Sequence, residues 1–170
     1  MKHIVSVLVE NHFGVLARIS GLFSGRGFNI DSLSVGETED STISRITLVV
    51  TGDDFVLEQI MKQLNKLVDV IKVSDLTKDE FIDRELALIK VDADARARPE
   101  IMQIVDIFRA KILDVAPKSL TIEVTGAEGK VQGMISLLHD FHIREVVRSG
   151  KIAISRENKA APRRKKRAPK

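Results

Sequence analysis

The chain contains no cysteine, no tryptophan and no tyrosine, and only seven phenylalanines. Without cysteine there are no disulfides, no thiolate metal sites and no thiol nucleophile. With so few aromatics a core must be built from Val, Ile and Leu, and the 44% hydrophobic content supplies them. No apolar run reaches the length that spans a bilayer. The opening Met1-Lys2-His3-Ile4-Val5-Ser6-Val7 is apolar but meets Glu10 and Asn11 too soon for a signal peptide, so a cytoplasmic setting is expected. There is no G-x-x-x-x-G-K-[ST], and Gly21, Gly25 and Gly27 do not form a dinucleotide fingerprint.

The net charge of +3 hides a division. Residues 156–170 hold eight Lys or Arg and one Glu, and taking their +7 from +3 leaves −4 on the other 155 residues. This low-complexity stretch, with Pro162 and Pro169, reads as a disordered basic tail. It can touch nucleic acid or an acidic protein through charge alone, or simply solubilise the chain.

What is present is a pattern that runs twice. Ile4–Val9 has strand character. Val15, Leu16, Ile19, Leu22 and Phe23 then mark one face of a helix, with Arg18 and Arg26 off the stripe. Gly25 and Gly27 supply the stop. Phe28–Glu37 reads as a strand whose apolar phase changes near Asp31-Ser32, which predicts a bulge. Thr38–Ser41 is a turn, and Ile46, Leu48 and Val50 alternate in a third strand. Asp53 suits the cap of a second helix striped by Leu57, Ile60, Met61 and Leu64, and Val68–Val73 is a fourth strand.

The order β-α-β-β-α-β then recurs. Glu85–Val91, a helix opened by Pro99, a hairpin around Pro117-Lys118, a helix over Glu128–Leu138 and a last strand Ile143–Val147 follow one another. At an offset of 74 residues, Thr51-Gly52 falls on Thr125-Gly126, and Leu57, Ile60, Met61, Leu64 and Leu67 fall on Val131, Met134, Ile135, Leu138 and Phe141. The expected fold is α+β: two ferredoxin-like domains, each an antiparallel sheet with both helices on one face. The expected divisions are residues 1–76, a linker over 77–84, a second domain over 85–155 and the tail. An uncovered sheet face in each domain leads to an expectation of homodimerisation.

Chemistry-bearing residues are few. Asn11-His12-Phe13-Gly14 stands where a strand ends and a helix begins. Asn11 can cap, and Gly14 lets a ligand approach the backbone. The N–H groups from Phe13 to Leu16, Val15 included, have no intrahelical partner and favour an anion. An ordinary tight turn with a capping Asn explains the same pattern. Asn29 and Asp31 are polar residues in the apolar strand that carries Ile30; they can bind an ammonium group or face solvent. His139-x-x-His142 has only Asp140 nearby and does not make a metal set. Asp53-Asp54 and Asp92-Asp94 lack a nucleophile or base beside them, so no catalytic residue is assigned.

The stretches S-V-L-V-E-N-H-F-G-V-L-A-R-I-S-G-L-F-S-G-R-G-F-N-I-D-S-L-S-V-G at Ser6–Gly36 and S-R-I-T at Ser44–Thr47 resemble an ACT domain. With Leu57–Val70 and the segment from Phe108 to Val115, the chain to about residue 155 resembles the small regulatory subunits of acetolactate synthase. E-N-x-x-G-V-L-x-R followed by R-G-[FY]-N-I-[DE]-S-L is specific to that family among ACT proteins; the basic tail departs from it. The resemblance implies a homodimer formed through ACT domains and bound to a large catalytic subunit. That partner would carry thiamine diphosphate, Mg²⁺ and FAD, while this chain would bind no cofactor and do no chemistry. It also implies feedback inhibition by valine in branched-chain amino-acid synthesis. Valine would lie between two chains, its carboxylate on Asn11, His12, Phe13, Gly14, Val15 and Leu16 of one and its remainder against Asn29 and Ile30 of the other.

Two other readings stand beside this one. A free-standing ACT amino-acid sensor would share the first domain. An RNA-recognition module shares the element order, but Ile4–Val9 and Ser44–Val50 carry no aromatic on which a base could stack.

Overall fold

The computed structural model describes residues 1–78 and 80–156. The basic tail expected after residue 155 falls, apart from Arg156, outside the described residues. The first domain runs β1 (Lys2–Glu10), α1 (Val15–Ser24), β2 (Ile30–Glu37), β3 (Ile43–Thr51), α2 (Asp54–Leu64) and β4 (Val70–Asp75). Its four strands lie in the order β2-β3-β1-β4. The second repeats the scheme with β5 (Phe81–Asp92), α3 (Arg98–Ile107), β6 (Lys111–Ala116), β7 (Ser119–Gly126), α4 (Glu128–Leu138) and β8 (Ile143–Arg148), ordered β6-β7-β5-β8.

Each core is aliphatic, as the composition requires. Val5, Val7 and Val9 of β1 meet Val15, Ile19, Leu22 and Phe23 of α1 and Leu57, Ile60 and Leu64 of α2. Ala87, Ile89 and Val91 play the same part for α3 and α4. The repeat is visible in detail: a Cβ added to Gly52 would stand 2.7 Å from Val56, and one added to Gly126 2.5 Å from Lys130, so each Thr-Gly pair ends where the following helix crowds it. The bulge near Asp31-Ser32 is present, with the β2–β3 register slipping between Ile30 and Ser32.

α1 ends in a left-handed residue, Gly27, at φ +69°. Phe28 N–H donates to Phe23 C=O at 3.0 Å and Gly27 N–H to Ser24 C=O at 3.2 Å. The Phe23 and Phe28 rings close the motif edge to face at 6.3 Å. Gly25 is helical (φ −65°) and is not the left-handed stop.

Two expectations are corrected. Ile143–Val147 is not the last strand: β9 (Ile152–Ser155) follows and pairs with Phe81–Arg84, the start of β5, inside the stretch read as linker. The face of the first sheet away from its helices is also not bare. Ile4, Val49 and Leu76 there form a cluster with Ala153 of β9, flanked by Phe81, beside the buried polar residues Ser6 and Thr47. β9 thus covers the apolar centre of the first sheet, so for that sheet an uncovered aliphatic face supplies no argument for a second copy.

Candidate functional site

α1 begins unlike its fellows. Gly14 is its N-cap at φ +87°, with no side-chain cap and no acidic residue in the first turn. α2, α3 and α4 carry Asp54, Glu100 and Glu128 in their first turns. The first intrahelical bond of α1 runs from Arg18 N–H to Gly14 C=O at 3.0 Å. Among the described residues, no acceptor takes the N–H groups of Phe13 to Ala17. The positive end of the helix dipole is thus left open to a soluble anion.

The second domain shows what such a helix start does with a carboxylate. Asp94 Oδ1 accepts the N–H groups of Ala97 at 2.8 Å and Arg96 at 2.9 Å. Those bonds, Ala97 first, hold the Asp94 carboxyl below its ordinary range. The turn that leads into α3 thus carries its own carboxylate on its N–H groups, and the turn that leads into α1 carries none.

Asn11 does not cap α1, because Gly14 takes the N-cap position. Its Nδ2 donates to Ser41 C=O at 2.9 Å and Glu37 Oε1 at 3.2 Å, pinning the loop to the β2–β3 hairpin. Phe13 is fully exposed and Leu16 is 42% exposed, so Leu16 leaves the buried stripe. Val15 is buried and offers only its N–H outward. A Cβ at Gly14 would meet nothing within 4 Å, so it is the positive φ that requires glycine, and the backbone stays open.

Three neighbours escape sequence reasoning. Asp69, buried in the turn before β4, accepts Arg18 Nη1 at 2.5 Å, and His12 Nε2 lies 3.1 Å from its other oxygen. Glu10 stands 3.4 Å from the same His12 nitrogen. Glu10, His12 and Asp69 bring three possible metal ligands within 4.8 Å of one another, but the Arg18 guanidinium shares the Asp69 carboxylate and makes this an ion-pair cluster. It braces the loop from below. The contact joins residues 51 apart, which no local spacing reveals.

Asn29 and Ile30 lie elsewhere. Asn29 Nδ2 donates to Asp31 Oδ1 at 2.6 Å, and Thr51 Oγ1 donates to Asp31 Oδ2 at 2.6 Å. Ile30 pairs with Val50 and Val50 with His3, whereas the Asn11 loop leaves β1 beyond Glu10. Seven residues of strand, about 23 Å, separate the two halves. One chain does not bring them together.

Residues 5–72 match the family model for the AHAS small subunit-like ACT domain, and residues 84–157 that for the small subunit of acetolactate synthase. The acetolactate synthase small subunit of Aquifex aeolicus is 55% identical over 157 residues, 92% of this chain and 82% of that protein. The probable acetolactate synthase small subunit of Archaeoglobus fulgidus is 54% identical, covering 94% of this chain and 99% of its own. The crystal structure of the small subunit from Thermotoga maritima superposes with a TM-score of 0.85 at 45% identity, covering 93% of this chain and 99% of that one.

The chain belongs to the acetolactate synthase small-subunit family. Membership makes it a regulatory, non-catalytic subunit in branched-chain amino-acid biosynthesis, with catalysis on a separate large subunit. The first family model ends at residue 72, within β4, and the second begins at residue 84, within β5. No helix among the described residues is long and apolar enough to cross a membrane.

Proposed function

We propose that this subunit binds valine between the ACT domains of two copies and passes that signal to the catalytic subunit as feedback inhibition. The observation that carries the reading is the open start of α1, a helix N-terminus with neither cap nor acid beside a glycine at φ +87°. The α-carboxylate lies on the N–H groups of Phe13 to Leu16, with Asn11 and His12 framing the loop. The separation of Asn29 and Ile30 from that loop supports a site completed by a second chain, since a C2 pair places each half opposite the other's complement. Asn29 meets the ammonium group, and Ile30 packs against a branched aliphatic side chain. Thiamine diphosphate, Mg²⁺ and FAD belong to the large subunit in this reading. Valine favours one dimer geometry by binding it more tightly than the other, which is what coupling requires.

Calorimetric titration of the protein with valine, leucine and isoleucine tests this. Saturable binding of valine at one site per chain is the expected result. No heat with any of the three removes the effector reading.

A further inference from the structure

The half-site at the start of β2 is tied to the second domain by one turn. Lys151 N–H donates to Ser32 Oγ at 3.0 Å, and Ser34 Oγ donates to Ser149 C=O at 3.0 Å. Between them Gly150 sits at φ +78°, and a Cβ there would stand 2.7 Å from Ser34 Oγ, 3.0 Å from Ser32 Oγ and 3.1 Å from Leu33 C=O. Any other residue there would be strained at this φ and would push on both serine hydroxyls that make the clasp. Ser32 is the residue at which the β2–β3 register slips, and Asp31 beside it holds Asn29. Behind the turn, the largely buried Lys151 meets Glu128 of α4 at 2.8 Å and Asp83 of β5 at 3.3 Å, and Glu128 also takes Lys2 of β1 at 2.6 Å.

We infer that the Ser149-Gly150-Lys151 turn is the joint through which occupancy of the effector site reaches the second domain. This rests on the valine reading given above. A ligand seated on Asn29 and Ile30 bears on the one irregular point of β2, and that point is hydrogen-bonded to nothing else in the second domain but this turn, among the described residues. Among the described residues no hydrogen bond of the clasp goes to the α1 loop or to Asn29, so its part is to transmit rather than to bind.

The test uses Gly150→Ala, which adds the clashing methyl, and Ser32→Ala, which removes the acceptor for Lys151 N–H without strain; Ser32→Ala decides the matter if Gly150→Ala does not fold. Valine affinity is measured by calorimetry on the small subunit, and inhibition on the holoenzyme reconstituted with its large subunit. The expected result is a Kd within about threefold of the parent while the valine concentration for half inhibition rises about tenfold or inhibition disappears, a loss within the usual range of coupling. Unchanged inhibition overturns the inference. So does a parallel loss of binding and inhibition, which would make the turn part of the binding site's own support. Absence of valine binding in the parent protein overturns the effector reading, and this inference with it.

Discussion

Asp94 holds the N–H of Ala97 on its own carboxylate at 2.8 Å, while the helix start of the first domain, opened by Gly14, holds none. Supplying a carboxylate in cis should therefore compete with one in solution. Gly14→Asp and Gly14→Asn have nearly the same shape, and both strain the φ of +87° by about 1 kcal/mol, since Asn and Asp tolerate that region best after glycine. The charge is the difference. Valine should bind Gly14→Asp about tenfold or more weaker than Gly14→Asn, a gap of roughly 1.4 kcal/mol. Equal affinities in calorimetry would remove the carboxylate from this loop.

The end of α1 makes a separate stability prediction. Gly27 carries the left-handed turn that lets Phe28 return to Phe23. Gly27→Ala should cost about 1 kcal/mol, lowering Tm by about 3 °C. Gly25→Ala, at a helical φ of −65°, should not pay that conformational penalty, although its Cβ would lie 3.1 Å from Gly21 C=O. Thermal unfolding of the two variants distinguishes the glycines.

The Asp69–Arg18 pair should show the asymmetry of a half-buried bridge. Asp69 is 5% exposed, while Arg18 has water to fall back on. Arg18→Ala leaves a buried carboxylate with only His12 beside it and should cost about 2 kcal/mol, between the values for exposed and buried pairs. Asp69→Asn, which leaves an exposed guanidinium, should cost less. Urea denaturation of both variants measures the order, and the reverse order would mean that the pair does not brace the loop as described.

Acid should loosen the junction between domains. Hydrogen bonds from Lys151 and then Lys2 hold the Glu128 carboxyl down from 4.5 to about 2. Burial alone would lower the pKa of Lys151, but Glu128 and Asp83 outweigh it and raise it. For a depressed carboxyl the stabilisation is complete above about pH 4.5 and is lost as pH falls toward about 2. The carboxylate is over a third exposed, so solvent screening reduces the contribution to on the order of 1 kcal/mol. Glu128→Gln should lower stability at neutral pH and flatten its decline through this window, read by denaturant unfolding at pH 6, 4 and 3. An unchanged slope would assign the acid response to other carboxylates.

Local pattern made much of this molecule legible. The stripes of α1 and α2, the bulge at Ser32, the Asp53 cap and the extent of α4 follow from periodicity and turn chemistry acting over a few residues. What it did not reveal depends on distant partners. β9 is four residues long and becomes a strand by pairing with Phe81–Arg84, about seventy positions earlier in the chain. Asp69 looks like any turn acid until Arg18 and His12 reach it. Asn11 has the right chemistry to cap, but the cap is set by backbone dihedrals, and those put Gly14 in that place. The residues of the proposed site stand out in the sequence by type alone; that its two halves lie at opposite ends of one sheet shows only in the strand register.

Mixed oligomers test whether the two halves of the site come from different chains. Gly14→Asp chains and Asn29→Lys chains, the second setting a cation against the ammonium group, each spoil one half of every site, so each alone should bind valine too weakly to register at concentrations that saturate the parent. Mixed in equal amounts and allowed to exchange, half of the pairs contain one of each. In such a pair one site inherits both defects and the other inherits neither, so calorimetry should recover about a quarter of the parent's valine sites. No recovery, with exchange verified by mass, would place both halves in a single chain and contradict the account.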